Sequence, residues 1–265
     1  MTILTKIARV WRFFLAAPTY ARHSQALRVI LRHSTFKRLL NFIRVEMEFR
    51  LRKTRLKGKP YILVVDPTNV CNLRCPLCPT GLLEPGRKGS MMPWETFQST
   101  IDQLSPWAYK VNLFNWGESL LNKETTRMIS YANDKGLATT LSSNLSIKLS
   151  DEQIEDLVNS GLEFLCLSID GATQETYEKY RRLGKLDLVL ENVSRILECR
   201  NKLGKKLPIL EWQFIPMKQN EHEIEKAKEL SEQMGVDLFR CIPVGLPFDS
   251  REPEKLGQEW LQGSL

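Results

Sequence analysis

Cys71, Cys75 and Cys78 put three thiols on one short stretch, within the run Asp66-Pro67-Thr68-Asn69-Val70-Cys71-Asn72-Leu73-Arg74-Cys75-Pro76-Leu77-Cys78-Pro79. Thiolates are soft ligands, and three on a single loop can wrap an iron-sulfur cluster or a zinc ion in preference to a hard cation. The two alternatives differ in how the coordination shell closes. Structural zinc takes a fourth ligand, usually from a second short Cys or His pair, and none of His23, His33, His222, Cys166, Cys199 or Cys241 stands in such a pair. A cubane held at three corners instead keeps one iron open for a small molecule. The scattered remaining cysteines are not the ladder of a disulfide framework. Cys166, inside a strand pattern, and Cys199, on a helix, read as packing residues. Cys241, at a strand end, is the one expected to face a cavity.

These residues need a scaffold, and the chain supplies one by alternation. Tyr61 to Asp66, Val111 to Asn115, Leu137 to Leu141, Phe164 to Ile169, Ile209 to Ile215 and Val236 to Cys241 are short apolar, β-branched runs that predict strands. Helical patterns lie between them: Pro93 to Leu104, Lys123 to Lys135 closed by Gly136, a helix opened by a Ser150/Gln153 capping box and stopped at Gly161, Glu175 to Arg182, and Leu188 to Leu203. A second capping pair, Asn220 with Glu223, is expected to open a helix ending at Gly235. Strands separated by helical crossovers mean an α/β protein with a parallel sheet, either open or an incomplete barrel. The cysteines follow the first strand directly, at the carboxyl edge where such folds bind ligands.

Charge is segregated. The chain of 265 residues carries a formal +7, yet residues 1 to 57 hold 14 Lys or Arg against Glu46 and Glu48 alone, leaving 24 basic and 29 acidic residues for the rest. Within this basic extension Ile3, Ile7, Val10 and Phe14, and again Phe36, Leu40, Ile43 and Met47, recur at helical spacing between Lys and Arg; Pro18 and the Lys57-Gly58-Lys59-Pro60 break divide them. A basic amphipathic helix either packs on its own domain or lies on an anionic membrane surface. No base-reading motif accompanies it, so nucleic acid is not an expected partner. No window approaches the roughly 20 apolar residues that span a bilayer, and no secretory signal is evident, so the expected setting is cytoplasmic, with peripheral contact at the inner membrane surface if the extension docks there.

The three-cysteine spacing in the loop after the first strand resembles the signature of the radical S-adenosylmethionine (radical SAM) superfamily, and further segments are similar to that family's. Leu77 fills the position that is apolar or aromatic there. Asn115-Trp116-Gly117-Glu118-Ser119 resembles the Gly-Gly-Glu motif with Trp116 replacing its first glycine, Ser142-Ser143-Asn144 the polar tip of the third strand, and Ser168-Ile169-Asp170-Gly171 with Thr176-Tyr177 and Tyr180-Arg181-Arg182 the peptide-modifying, SPASM-associated branch. The resemblance implies a partial (β/α)6 TIM-like barrel with an N-terminal basic helical extension, divided as extension 1–57, core 58–242 and linker or start of a further region 243–265. It implies a 4Fe-4S cluster on Cys71, Cys75 and Cys78, and an S-adenosylmethionine site formed by Leu77, Gly117, Glu118, Ser142, Asn144, Ser168, Asp170, Arg181 and Met217. In that site Glu118 faces the cofactor ammonium, Ser168 and Asp170 the ribose, and Arg181 or Arg182 the carboxylate. The reaction implied is reductive cleavage of S-adenosylmethionine and hydrogen abstraction from a peptide or small-molecule substrate, with an electron donor such as flavodoxin or ferredoxin. Relatives with a SPASM region carry further cysteines downstream, and none follows Cys241 here. The alternative is a zinc-stabilised or catalytically inactive scaffold that docks on a membrane or partner through its N-terminal helices.

Overall fold

A computed structural model describes residues 20–83, 88–245 and 258–261, and side chains from Gln25 onward. The pattern at Ile3 to Phe14 therefore lies outside the described residues. Two helices lead the chain, α1 (Tyr20–His33) and α2 (Phe36–Arg50). The alternating body follows: β1 (Ile62–Val64), α3 (Trp94–Leu104), β2 (Lys110–Asn112), α4 (Thr125–Asp134), β3 (Ala138–Ser143), α5 (Asp151–Asn159), β4 (Phe164–Ser168), α6 (Gln174–Tyr180), α7 (Leu186–Lys202), β5 (Ile209–Phe214), α8 (Ile224–Gln233) and β6 (Leu238–Cys241).

The strands form one parallel sheet in chain order, β1 to β6, with β1 and β6 as its two edges. It is an open barrel, as right-handed crossovers dictate when each helix returns the chain to the next strand. One face of each strand packs outward on the helices: Val111, Leu141, Leu165 and Leu210 meet Ile101, Met128, Leu157, Val193 and Ile196 in a single core. Alternate residues face the concave side. On β1, Leu63 is buried against the helices while Ile62 and Val64 are exposed toward the opening.

The expected capping box at Ser150 forms reciprocally with Gln153. That at Asn220 does not. Asn220 gives its amide to the carbonyls of Asp170 and Ile215 and accepts from Met217 N, while Glu223 reaches the backbone of Ala172 and Thr173. A 3-10 turn at Glu221–Glu223 precedes α8 instead.

The extension is docked across the amino end of the barrel, and in an inverted sense. Helix α2 buries its polar residues Arg38, Asn41 and Glu48 and exposes the stripe Phe36, Leu40, Ile43 and Met47. Arg38 explains this orientation. Its guanidinium donates to His33 O, Ser105 O, Lys135 O and Gly136 O at 2.6 to 3.1 Å. These carbonyls close α1, α3 and α4, so one cation satisfies the negative ends of three helix dipoles and several carbonyls that a helix end leaves unpaired. Asn41 accepts from Lys59 N and donates to Lys59 O and Trp107 O, and Glu48 accepts from Lys57 N and Gly58 N. No helix among the described residues is long and apolar enough to cross a membrane.

Candidate functional site

At the carboxyl edge of the sheet a cavity of about 610 Å³ is lined by Cys71, Cys75 and Cys78 together with residues from the ends of β2 to β5. The cysteine loop is a close-packed turn. Cys78 N donates to Cys75 O at 3.1 Å and Leu82 N to Cys78 O at 2.9 Å. A Cβ at Gly81 would stand 2.4 Å from Cys75 O, so only glycine lets the chain fold back over Cys75. The end of β2 presses on the same loop. Gly117 has φ +104°, and a Cβ there would meet Thr68 O at 2.4 Å; Glu118 N then donates to Val70 O at 2.8 Å.

Glu118 is buried and accepts from Ser143 Oγ at 2.8 Å, Asn144 N at 2.7 Å and Leu120 N at 3.2 Å. Burial pushes its pKa up, and these donors offset that by stabilising the carboxylate. Asn144 in turn donates to Asn72 Oδ1 at 3.0 Å and to Cys71 Sγ at 3.8 Å, and Leu73 N points at the same sulfur at 3.4 Å. Ser142 and Ser168, from β3 and β4, share a hydrogen bond of 3.2 Å on the cavity wall. Arg181 enters from the end of α6. Its Nε donates to Asp170 Oδ2 at 2.6 Å, and Asp170 Oδ1 accepts from Ile215 N. Burial disfavours the guanidinium charge, but Asp170 and then Cys75 hold Arg181 well above its usual range, so it stays cationic beside the cysteines.

Of the residues expected here, Leu77, Gly117, Glu118, Ser142, Asn144, Ser168 and Arg181 line the cavity with the cysteines. Asp170 and Met217 do not. Asp170 lies behind Arg181 and anchors it, and Met217 packs with Leu73, Cys75, Leu77, Tyr180 and Trp260 beneath the cysteine loop. Arg182 is absent from the lining. Cys241 is exposed and lines no cavity found here, whereas Cys166, expected to be a packing residue, faces the barrel interior. The two-residue parity linking Cys166 to Ser168 on β4 carries that information. Phe114 is a lining residue that motif reading passed over. It was legible only from its place at a strand end.

The donor set suits an iron-sulfur cluster. Three sulfurs, one buried and two half-buried, line one cavity, N–H groups point at Cys71 Sγ, and a guanidinium stands beside Cys75. Residues 65–206 match the radical SAM superfamily model. The chain belongs to the radical SAM superfamily. Fe-coproporphyrin III synthase of Methanosarcina barkeri is 28% identical over 178 residues, covering 67% of this chain and 42% of that protein. PqqA peptide cyclase of Bradyrhizobium diazoefficiens is 23% identical, covering 71% and 47%. The crystal structure of Streptococcus suis SuiB bound to S-adenosylmethionine superimposes with a TM-score of 0.62 at 15% identity, covering 92% of this chain and 52% of that one. The chain thus spans about half the length of the curated relatives it matches. Radical SAM enzymes work with a 4Fe-4S cluster and S-adenosylmethionine, and family membership favours that pairing over the zinc alternative.

Two of the free thiols, Cys71 and Cys75, are held protonated. Burial pushes Cys71 up to about 11, with the Leu73 N–H opposing and Glu118 and the neighbouring thiols adding to the rise; burial likewise raises Cys75 against the pull of Arg181. In the metal-free chain, alkylation of Cys71 by iodoacetamide, followed by mass spectrometry, is therefore expected to be slow at neutral pH. It should climb about tenfold per pH unit until the pH approaches 11, because only the thiolate reacts. A rate already at its plateau by pH 8 contradicts this environment.

Proposed function

We propose that this chain is a radical SAM enzyme that cleaves S-adenosylmethionine reductively and takes hydrogen from a peptide or protein side chain. The observation that carries the reading is the convergence of Cys71, Cys75, Cys78, Gly117, Glu118, Ser142, Asn144, Ser168 and Arg181 on one cavity. When bound, the cluster supplies the electron that breaks the sulfonium carbon–sulfur bond, yielding methionine and a 5′-deoxyadenosyl radical able to abstract hydrogen. The protein's part is to bind, orient and exclude solvent. Cys71, Cys75 and Cys78 would hold the cluster, and N–H donation from Leu73 and Asn144 to Cys71 would favour its sulfur as thiolate. Glu118 keeps the tip of β3 fixed to the cysteine loop and offers negative charge to the cofactor's ammonium. Arg181, made rigid by Asp170, offers a cation to its carboxylate, and the Ser142/Ser168 hydroxyl pair meets its ribose. Buried Leu73 and Leu77 keep water from the cluster side. A peptide substrate is supported by two relatives, the PqqA peptide cyclase and SuiB, the latter also crystallised with its precursor peptide SuiA. Flavodoxin or ferredoxin is the proposed reductant.

A second element of the proposal concerns location. Helix α2 exposes Phe36, Leu40, Ile43 and Met47 in one stripe, flanked by exposed Arg44 and Arg50, which suits a peripheral position on an anionic bilayer.

Two measurements test these statements. After anaerobic reconstitution and reduction with dithionite, the protein should convert S-adenosylmethionine to equal amounts of 5′-deoxyadenosine and methionine, and Cys75→Ala should abolish both. Binding of S-adenosylmethionine with no product would instead mark an inactive scaffold. In sedimentation with phosphatidylglycerol vesicles the protein should pellet, less so at high salt, and the triple variant Phe36→Ser, Leu40→Ser, Ile43→Ser should bind at least about fivefold more weakly with an unchanged circular dichroism spectrum. Equal pelleting of the two proteins removes the membrane element.

A further inference from the structure

Below the cysteine cavity, toward the amino ends of the strands, the concave face holds a second cavity of about 590 Å³. Phe114 lines both, so the two adjoin. The side-chain parity of the strands makes them continuous: Ser142 and Ser168 face the upper cavity, and Thr140 and Cys166, two residues earlier, face the lower one.

The lower cavity is charged. Glu211 pairs with Arg240 Nη2 at 2.5 Å and accepts from Gln25 Nε2 at 3.1 Å, so this acid and this base offset each other. Glu163 is engaged by His33 Nε2 at 2.5 Å. Burial pushes the Cys166 thiol up to about 12, which leaves it neutral. Lys110 remains. Its ammonium lies 5.6 Å from the centre of the Phe164 ring and makes no direct ion pair or hydrogen bond among the described residues, although Glu163 and Glu211 act on it at longer range. Burial lowers its pKa, the mark of a charge poorly solvated where it stands. Neighbouring buried atoms also lack hydrogen-bond partners: Thr140 Oγ1, on a residue only 4% exposed, and Asn112 Oδ1, with Glu163 Oε2, Glu211 Oε1 and Arg240 Nε further round the wall. An ammonium with no direct partner beside unpaired polar atoms in one hollow is costly unless something complementary enters.

We infer that this cavity binds a carboxylate, seated on Lys110 and the Thr140 hydroxyl, while Asn112 Oδ1 accepts an N–H or O–H of the same ligand. Val29, Ile30 and Phe42 of the extension close the floor, and Ile62 and Arg240, from the two edge strands, flank the way in. Because the cavity adjoins the cysteine site, its ligand is the substrate of the proposed reaction; this assignment rests on that reading and narrows its substrate to a carboxylate-bearing group. An acidic peptide side chain and a free small acid share that chemistry.

Saturation-transfer NMR on the reconstituted full chain with S-adenosylmethionine present tests the assignment. One arm uses glutarate and succinate beside their diamides, the other the N-acetylated, C-amidated tripeptides Gly-Glu-Gly and Gly-Asp-Gly beside their equally capped Gln and Asn counterparts. Carboxylates should bind and amides should not; signal confined to the tripeptides names a peptide source, signal confined to the free acids a small molecule. Lys110→Met should weaken binding at least about tenfold and Lys110→Arg should largely retain it, with circular dichroism unchanged. Carboxylate and amide giving equal signals, none included, or Lys110→Met binding as the wild type does, overturns the inference. Equilibrium dialysis of S-adenosylmethionine with the same samples separates the two failures: retained cofactor binding means that only the carboxylate site is wrong.

Discussion

Three thiols crowded into one buried loop cannot all ionise unaided, because each thiolate raises the cost of the next and the surroundings solvate charge poorly. A cationic centre resolves this, and the surrounding structure is arranged to receive one. The parallel sheet delivers the loop to its carboxyl edge. Gly81 and Gly117 permit the backbone approaches that compact the loop and tie it to β2, and the Glu118 web fixes β3 against it. The Asp170–Arg181 pair adds a rigid cation whose burial is tolerable because its partner is buried with it. None of these elements stands alone: loosening Glu118 would free both the Asn144 donor and the loop it touches.

The basic extension is part of the same fold. Arg38 gathers the carbonyl ends of three helices, so the floor of the barrel depends on a residue of α2. That polar anchorage has a consequence for the surface. With Arg38, Asn41 and Glu48 turned inward, the apolar stripe of α2 must face outward, and the extension closes the lower cavity on one side while presenting Phe36 and Met47 on the other.

The strand and helix beat and the cysteine centre were legible in the sequence, since period-two and period-3.6 patterns and a fixed ligand spacing are local properties. The shorter strands were less so: β1 and β2 are each three residues long, and their flanking apolar residues belong to loops that line the site. The Asn220/Glu223 pattern failed because both side chains found tertiary partners around Asp170 and Thr173, which outbid a local cap. Periodicity located the stripe of α2 but not its direction, which Arg38 decides through contacts distant in sequence. Asp170 could be read as a site residue only by analogy, since its anchoring of Arg181 requires the α6 turn to bring the two together. That Lys110 lacks a direct ion-pair partner was invisible until the sheet had been assembled.

The most direct test of the central claim is the metal content and electron paramagnetic resonance of the anaerobically reconstituted chain. The account predicts about four irons and four sulfides per chain, a reduced-cubane signal that shifts when S-adenosylmethionine is added, and loss of both iron and signal when Cys71, Cys75 and Cys78 are replaced by Ala. Stoichiometric zinc in place of iron, or a cubane whose signal is indifferent to S-adenosylmethionine, would contradict it.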